Sequence, residues 1–439
     1  MKKRIILFVY LLLFIIYGIQ AETYDLESFL SLVENYNKDL KLAEKELDMA
    51  QVRKKQALAD ALPHVSASGN YIRNIGRRFL YIDFPDFETG ETQLTKFQIS
   101  YWNEFALNLG INQTLFSFKV GNALKAAKQY QKFTDFMYDS QYQNVITFAK
   151  KAFYQTLLLK KVWEVTRSSE ENAKENFLII KKKYDNGLVS KLELLQAEAR
   201  WENIVPDTIK AEGNYELALN NLKTFAGISV LEEMTIEGDF DQYPGMPAII
   251  PAESVLESRP DFNALQWEKE LRVSDVKAQK ADYYPELKAN FVLYNLTATS
   301  DVFRLDRRNI TYWVGLSLSI PIFQGGETAA QVRRANIELE KSQIRIEKTK
   351  EIIYNELRNI YLRLEEAQKR IVAGRKNMDT AEQAFQIAES SARNGLATQL
   401  ELKDARLLAD QAKLGYFSAI YDYLAAYFDW ELATGKVTQ

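Results

Sequence analysis

The sequence predicts a mainly α-helical fold with a transmembrane β-barrel part, built from one unit that the chain writes twice. Three observations carry this reading. Asn186-Gly187-Leu188 returns as Asn394-Gly395-Leu396, 208 residues later, inside a longer matching frame. Two stretches, 122–184 and 328–393, run almost without helix breakers. Four short segments alternate apolar residues with small or polar ones.

The chain opens with Lys2, Lys3 and Arg4, an apolar run from Ile5 to Tyr17, then Gly18 and Ala21 ahead of Glu22. A basic start, a short apolar core and small residues before an acidic boundary make residues 1–21 a secretory signal peptide. A membrane anchor would need roughly 20 apolar residues, and the lack of cysteine argues against a lipid-anchored N-terminus. No later stretch is apolar enough for a spanning helix, so an embedded part would have to be a barrel. Zero cysteines also exclude disulfides, thiolate metal sites and thiol nucleophiles. A net charge of -3, from 56 basic and 59 acidic residues, offers no general attraction to nucleic acid or anionic lipid. The 24 Tyr, 24 Phe and 6 Trp suit the interfacial girdles of a barrel.

The repeat sets the organisation of the whole chain. Leu192-Glu193-Leu194 returns as Leu400-Glu401-Leu402, and Gly227 as Gly435, in the same 208-residue frame. Upstream the frame is 222, mapping Ala59, Asp60, Pro63 and Ala67 onto Ala281, Asp282, Pro285 and Ala289. Leu115-Phe116 maps onto Ile322-Phe323 with an offset of 207, so the first half has the longer loop between its strands. Each half reads helix, strand, loop, strand, long helix, turn, helix. Residues 22–227 form the first repeat and 259–439 the second; 228–258, with Pro244, Pro247 and Pro251, is a linker or equatorial segment.

The series Ala211, Tyr215, Ala218, Leu222, Phe225 steps by four and three, as does its counterpart Ala419, Tyr423, Ala426, Trp430, Ala433. That is the seam of a coiled coil. Leu188, Leu192, Leu195 and Ala199 step likewise, as do Ala381, Phe385, Ala388 and Ala392. The two breaker-poor stretches, at about 1.5 Å per residue, each reach about 90 Å. Gly187 and Gly395 follow Asn and precede a leucine series, the chemistry of a left-handed helix cap, so each long helix folds back into a hairpin.

Val65, Ala67, Gly69 and Tyr71 form one apolar row; Phe105, Leu107, Leu109 and Ile111 a second; Leu287, Ala289, Phe291 and Leu293 a third; Val314, Leu316, Leu318 and Ile320 a fourth. A half-buried soluble sheet alternates in the same way. A structural or adhesive coiled-coil protein of the periplasm or cell surface is therefore the second reading. Four strands cannot enclose a lumen, and their edges are not tolerated in lipid. Three copies would supply twelve strands and no edge. The connecting loops are expected at Asp83–Gln98 and around Thr299–Arg308.

Arg259-Pro260-Asp261, Ser319-Ile320-Pro321-Ile322-Phe323 with Gly325-Gly326, and the paired Asn-Gly-Leu tips, in this order within a duplicated chain, resemble the TolC family of outer-membrane efflux proteins. The resemblance covers residues 22–439. It implies a homotrimer: a twelve-stranded outer-membrane barrel on a long periplasmic α-helical coiled-coil barrel. The implied partners are a periplasmic adaptor and an inner-membrane pump of the RND or ABC type, in multidrug efflux or type I secretion. Asn37-Lys38-Asp39 stands where the family often has Asn-Pro, which bears only on local helix geometry.

Family channels narrow near their periplasmic tips at inward acidic side chains. By matching positions these are Glu193, Glu401 and Asp404, with Lys191 and Lys403 beside two of them. Gly187-Leu188 and Gly395-Leu396 are the expected adaptor-docking tips. His64 is the only histidine and has no cysteine or second histidine for a metal site. No catalytic constellation, phosphate-binding glycine loop or cofactor motif is present, so no enzyme activity and no cofactor are expected.

Overall fold

The computed structural model describes residues 22–85, 88–299 and 308–437; the expected signal peptide and residues 300–307 of the second loop lie outside them. In chain order the elements are β1 (Glu22–Tyr24), α1 (Leu26–Tyr36), α2 (Lys38–Ala59), β2 (His64–Arg73), β3 (Phe79–Pro85), β4 (Thr92–Gln98), β5 (Asn103–Phe116), α3 (Phe118–Asp185) and α4 (Lys191–Ala226). There follow β6 (Met234–Ile236), α5 (Ala252–Ser258), α6 (Pro260–Lys280), a 3-10 turn at Ala281–Tyr283, β7 (Glu286–Thr299), β8 (Arg308–Ser319), α7 (Glu327–Arg393) and α8 (Gln399–Ala433). They group into two compact units. One takes the chain up to Leu47, Asp135–Ala264 and the chain from Ile346; the other takes Asp48–Thr134 and Leu265–Arg345. Each unit draws on both halves of the sequence.

The first unit is helical. The seams of α4 and α8 are buried at Ala211, Tyr215 and Leu222 and at Ala419, Tyr423, Ala426 and Ala433. Phe29 and Val33 of α1 and Ile146, Phe153 and Leu157 of α3 are buried in its core, and the Phe29 and Phe153 rings lie 5.6 Å apart. Lys150 and Glu431, both nearly buried, form a 2.9 Å ion pair between α3 and α8. Removing one partner of such a pair would strand a charge away from water. The proline-bearing segment is more than a linker, because its β6 pairs in parallel with β1, and α5 follows.

Two helix junctions in this unit repeat one another. Asn37, 2% exposed, ends α1 and restarts α2: its Oδ1 accepts from the N–H groups of Asp39 and Leu40 at 2.9 and 3.0 Å. Its Nδ2 donates to the Phe225 carbonyl at 2.8 Å. The break therefore forms without proline. At the corresponding place in the second half, Arg259 donates from Nη1 to the Ala433 carbonyl at 3.2 Å and to Glu356 at 2.7 Å. Its Nε and Nη2 grip Asp261 at 3.0 and 2.8 Å. One terminal carbonyl is thus satisfied by an amide in one half and by a guanidinium in the other.

The second unit holds a four-stranded antiparallel sheet in the order β2-β5-β7-β8 and the strand-proximal helix segments. Its helices carry the small buried residues Ala50, Ala127, Ser274, Ala335 and Ser342. The loop expected at Asp83–Gln98 is instead largely a hairpin, with β3 and β4 paired from Phe79↔Gln98 to Pro85↔Thr92. Leu80, Ile82, Phe84 and Phe97 share one of its faces, and Lys96 lies 3.8 Å over the Phe79 ring on the other. Interspersed charges hide this period-two pattern, and Pro85 falls at the strand end, where a missing donor is tolerated.

Candidate functional site: one sheet face and two hairpin tips

Antiparallel pairing puts directly opposed residues on the same face. The register aligns Val65, Ile111, Phe291 and Val314 in one row across all four strands, and Ala67, Leu109, Leu293 and Tyr312 in the next. The four predicted apolar stripes therefore fall on one face. Ser66, Ser68, Asn108, Asn112, Asn290 and Ser317 fall on the other. The apolar face is uncovered: Val65, Val314 and Leu316 are exposed. β2 and β8 each pair on one side only, so the sheet has two open edges. His64 opens β2 opposite Asn112, and among the described residues it joins no cluster of metal-ligating side chains.

Aromatic side chains bound the apolar rows. At the helix-proximal end the Phe116 and Phe118 rings lie 4.9 Å apart, as do those of Phe118 and Tyr284. At the far end Tyr71 and Phe105 lie 4.8 Å apart. The strand that carries Tyr71 runs on to Arg73, one step past the end of its apolar alternation. Continuation of the period of two through Arg73 is the signal in the sequence that marks it.

The hairpin tips are built from local chemistry. Gly187, at φ 72°, and Gly395, at φ 75°, sit at the left-handed position of a Schellman motif. In each, the following leucine N–H returns to the carbonyl five residues back, Leu188 to Lys183 at 2.9 Å and Leu396 to Ser391 at 2.8 Å. Leu188 and Leu396 stand 73% and 82% exposed. The series Leu188, Leu192, Leu195, Ala199 does not close the hairpin, for all four are exposed. The buried position on that stretch of α4 is Ala197, and Trp201 stacks on Phe177 of α3 at 5.6 Å. The bulky aromatic pair and the small alanine turn a neighbouring face of α4 inward, leaving the leucine row uncovered.

Glu193 and Glu401 occupy equivalent third positions of α4 and α8. Ser190 caps the first helix, accepting from the Glu193 N–H at 3.2 Å. Thr398 caps the second, and Glu401 completes a capping box by accepting from the Thr398 N–H at 2.7 Å. The hydrogen bonds from the Thr398 backbone and hydroxyl hold the Glu401 carboxyl below its ordinary value. Asp404, one turn on, is exposed and lies within electrostatic reach of Arg200, whose guanidinium pKa is lowered by burial. The structure thus brings Glu401 and Asp404 to one stretch of α8, and sets Glu193 on α4.

The family described as "Outer membrane efflux protein" matches residues 29–228 and 252–436. The chain belongs to that family. It is 24% identical over 333 residues to the alkaline protease secretion protein AprF of Pseudomonas aeruginosa, covering 74% of this chain and 68% of AprF. It is 21% identical over 422 residues to the probable efflux pump outer membrane protein TtgC of Pseudomonas putida, covering 92% of this chain and 83% of TtgC. Its fold is that of the Campylobacter jejuni CmeC outer membrane channel, at a TM-score of 0.76 and 20% identity over 94% of this chain and 85% of CmeC. As an outer membrane efflux protein it is a passive channel component and not an enzyme, located in the outer membrane with its helical part on the periplasmic side.

Proposed function

We propose that three copies close their sheets edge to edge, β8 of one against β2 of the next, into a twelve-stranded barrel that serves a tripartite efflux or type I secretion system. The observation that carries this reading is a sheet with one uncovered apolar face and two open edges, which neither water nor lipid accommodates in a single copy. At about 3.4 Å per residue the run from Phe105 to Phe116 is about 37 Å long, and at a tilt of about 45° it spans about 26 Å, the height of an outer-membrane apolar band. Residues 1–21 are removed on export. The mature chain then acts as two structural repeats, 22–227 and 259–439, joined through 228–258. The partners are a periplasmic adaptor and an inner-membrane pump of RND or ABC type, and the pump selects the cargo. The names of AprF and TtgC, one for protease secretion and one for an efflux pump, are consistent with a conduit shared across cargoes.

Glu193, Glu401 and Asp404 form the periplasmic constriction in this reading. Three copies of each concentrate negative charge where the passage is narrow and the walls are of low dielectric. In planar-bilayer recordings the purified trimer is expected to conduct and to prefer cations, and Glu401→Gln with Asp404→Asn to lose most of that preference. Because Glu401 is held below the ordinary carboxylate value, its share of the preference, like its capping contribution, persists on acidification to about pH 4.3 and fades as pH falls further through its depressed value. A protein without conductance would defeat the channel reading; unchanged selectivity in the double variant would defeat the acidic constriction alone.

The exposed Leu188 and Leu396, each beside a tight glycine turn, are the knobs offered to the adaptor's hairpin. Leu188→Ser with Leu396→Ser is expected to reduce adaptor crosslinking by at least about tenfold, since two buried leucine contacts are worth more than about 1.4 kcal/mol. Undiminished crosslinking would place docking elsewhere.

A further inference from the structure

The loop end of the apolar face carries a group of side chains that a plain lipid-facing wall does not require. Arg73 lies on the apolar face, directly beyond Tyr71. Its Nη1 donates to Asn103 Oδ1 at 2.7 Å, and the Tyr71 hydroxyl donates to the same oxygen at 2.9 Å. The guanidinium centres of Arg73 and Arg77 stand 5.6 and 4.9 Å from the Trp102 ring centroid. Arg77 also donates to Gln98 Oε1 at 3.2 Å. Both arginines are exposed, and among the described residues neither has a carboxylate partner. Glu104, the acid of this strand end, is engaged instead by Asn74 and the Tyr101 N–H. The buried Asn103 Nδ2 has no acceptor, so the end of the sheet has donors in excess. Immediately below, Gly69 leaves a groove walled by Tyr71, Phe105 and Leu107.

We propose that this end of the sheet binds a phosphorylated glycolipid of the outer leaflet, with its phosphate groups held by Arg73 and Arg77 and an acyl chain in the groove over Gly69. The inference rests on the reading of the apolar face as the lipid-facing wall of the barrel. Three features select this ligand. Guanidinium forks match phosphate oxygens in geometry and charge. Trp102 gathers both cations on its ring and is suited to the membrane–water boundary. The groove adjoins the apolar rows, with Asn295 and Thr297 as the polar side chains on its floor, so a single molecule with a charged head and a greasy tail satisfies both parts. An inorganic anion would leave the groove open, and a neutral lipid would leave two cations unmatched.

The test uses full-length trimer stripped of lipid in neutral detergent. Diphosphoryl lipid A, the same lipid freed of phosphate, or inorganic phosphate is added, and bound ligand is counted by native mass spectrometry. Wild-type protein is expected to bind diphosphoryl lipid A. Arg73→Gln with Arg77→Gln is expected to weaken that binding roughly thirtyfold, about a fivefold loss for each basic residue removed from the membrane surface. Arg73→Lys with Arg77→Lys, which keeps the charge but not the fork, is expected to bind more tightly than the neutral variant and less tightly than wild type, and this guards against a folding defect in the neutral variant. Equal binding by wild type and the neutral variant would overturn the proposal, as would equal binding of the phosphate-free lipid. Displacement of the lipid by millimolar inorganic phosphate would identify a free-anion site instead. Conductance of the same wild-type preparation separates the two levels: a conducting trimer indifferent to these arginines refutes the lipid site alone, whereas no conducting trimer refutes the channel reading and this inference with it.

Discussion

Leu316→Lys is expected to abolish the assembled channel. Leu316 belongs to the row Ile310, Tyr312, Val314, Leu316, Leu318, which β8 presents on the apolar face opposite Asn295, Leu293, Phe291, Ala289 and Leu287 of β7. A lysine on a barrel's lipid face costs about 2–4 kcal/mol at the midplane and less toward the rim, so three copies in this row, between the middle and the helix-proximal end, together cost on the order of 3–9 kcal/mol. That is comparable with the whole stability of a typical protein. Ser317→Lys, one residue along and on the opposite face, points into the proposed lumen, where a charge stays hydrated. It is expected to leave assembly intact. Heat-modifiable trimer in outer-membrane fractions and single-channel conductance read both variants. If Leu316→Lys gave normal trimer and normal conductance, the apolar face could not be the lipid face.

The second large effect is expected at the helix junctions. Gly227→Ala and Gly435→Ala each combine two penalties. Their backbones sit at φ 77° and 67°, in the left-handed region, which costs a residue with a Cβ roughly 1–2 kcal/mol. The added Cβ would also lie 2.5 Å from the Tyr36 carbonyl oxygen in the first case and 2.4 Å from that of Ser258 in the second. Backbone cannot step aside as a side chain does, and overpacking of this kind costs about 1–3 kcal/mol more. Gly187→Ala and Gly395→Ala provide the contrast. They have the same left-handed geometry, but nothing stands within 4 Å of the added carbon, so only the roughly 1–2 kcal/mol conformational penalty applies. Thermal unfolding of the purified protein should show the junction variants losing more stability than the tip variants. The reverse order would mean that the close approach of these backbones does not hold the helix junctions together.

The junctions also show how far a sequence can be read. Gly227 and Gly435 stand out as a matched pair in the repeat, but nothing in the string indicates that Tyr36 and Ser258 press against them. Nor does it indicate that Asn37 and Arg259, different in size and charge, satisfy the carbonyls of Phe225 and Ala433. The tip glycines are readable because a Schellman cap involves neighbours within five residues. The leucine series after Gly187 looks like a buried seam and is not one, since stepping by four and three marks an apolar stripe without saying what covers it. The hairpin β3–β4 escapes a reading by pattern because its alternation is broken by charges that a surface strand tolerates.

By itself the sequence determined which residues share a face, where helices begin and turn back, and that the whole unit occurs twice. Those properties follow from local sterics, capping and the periods of helix and strand, which act within a few residues. Tertiary structure alone decided that the four apolar rows fall in register on one face of an open sheet, that Arg73 and Arg77 both lie against Trp102 at its end, and that the leucine row beside the tip stays exposed. These depend on pairing and packing between residues far apart in the chain, and each local pattern was compatible with more than one arrangement until its neighbours closed upon it.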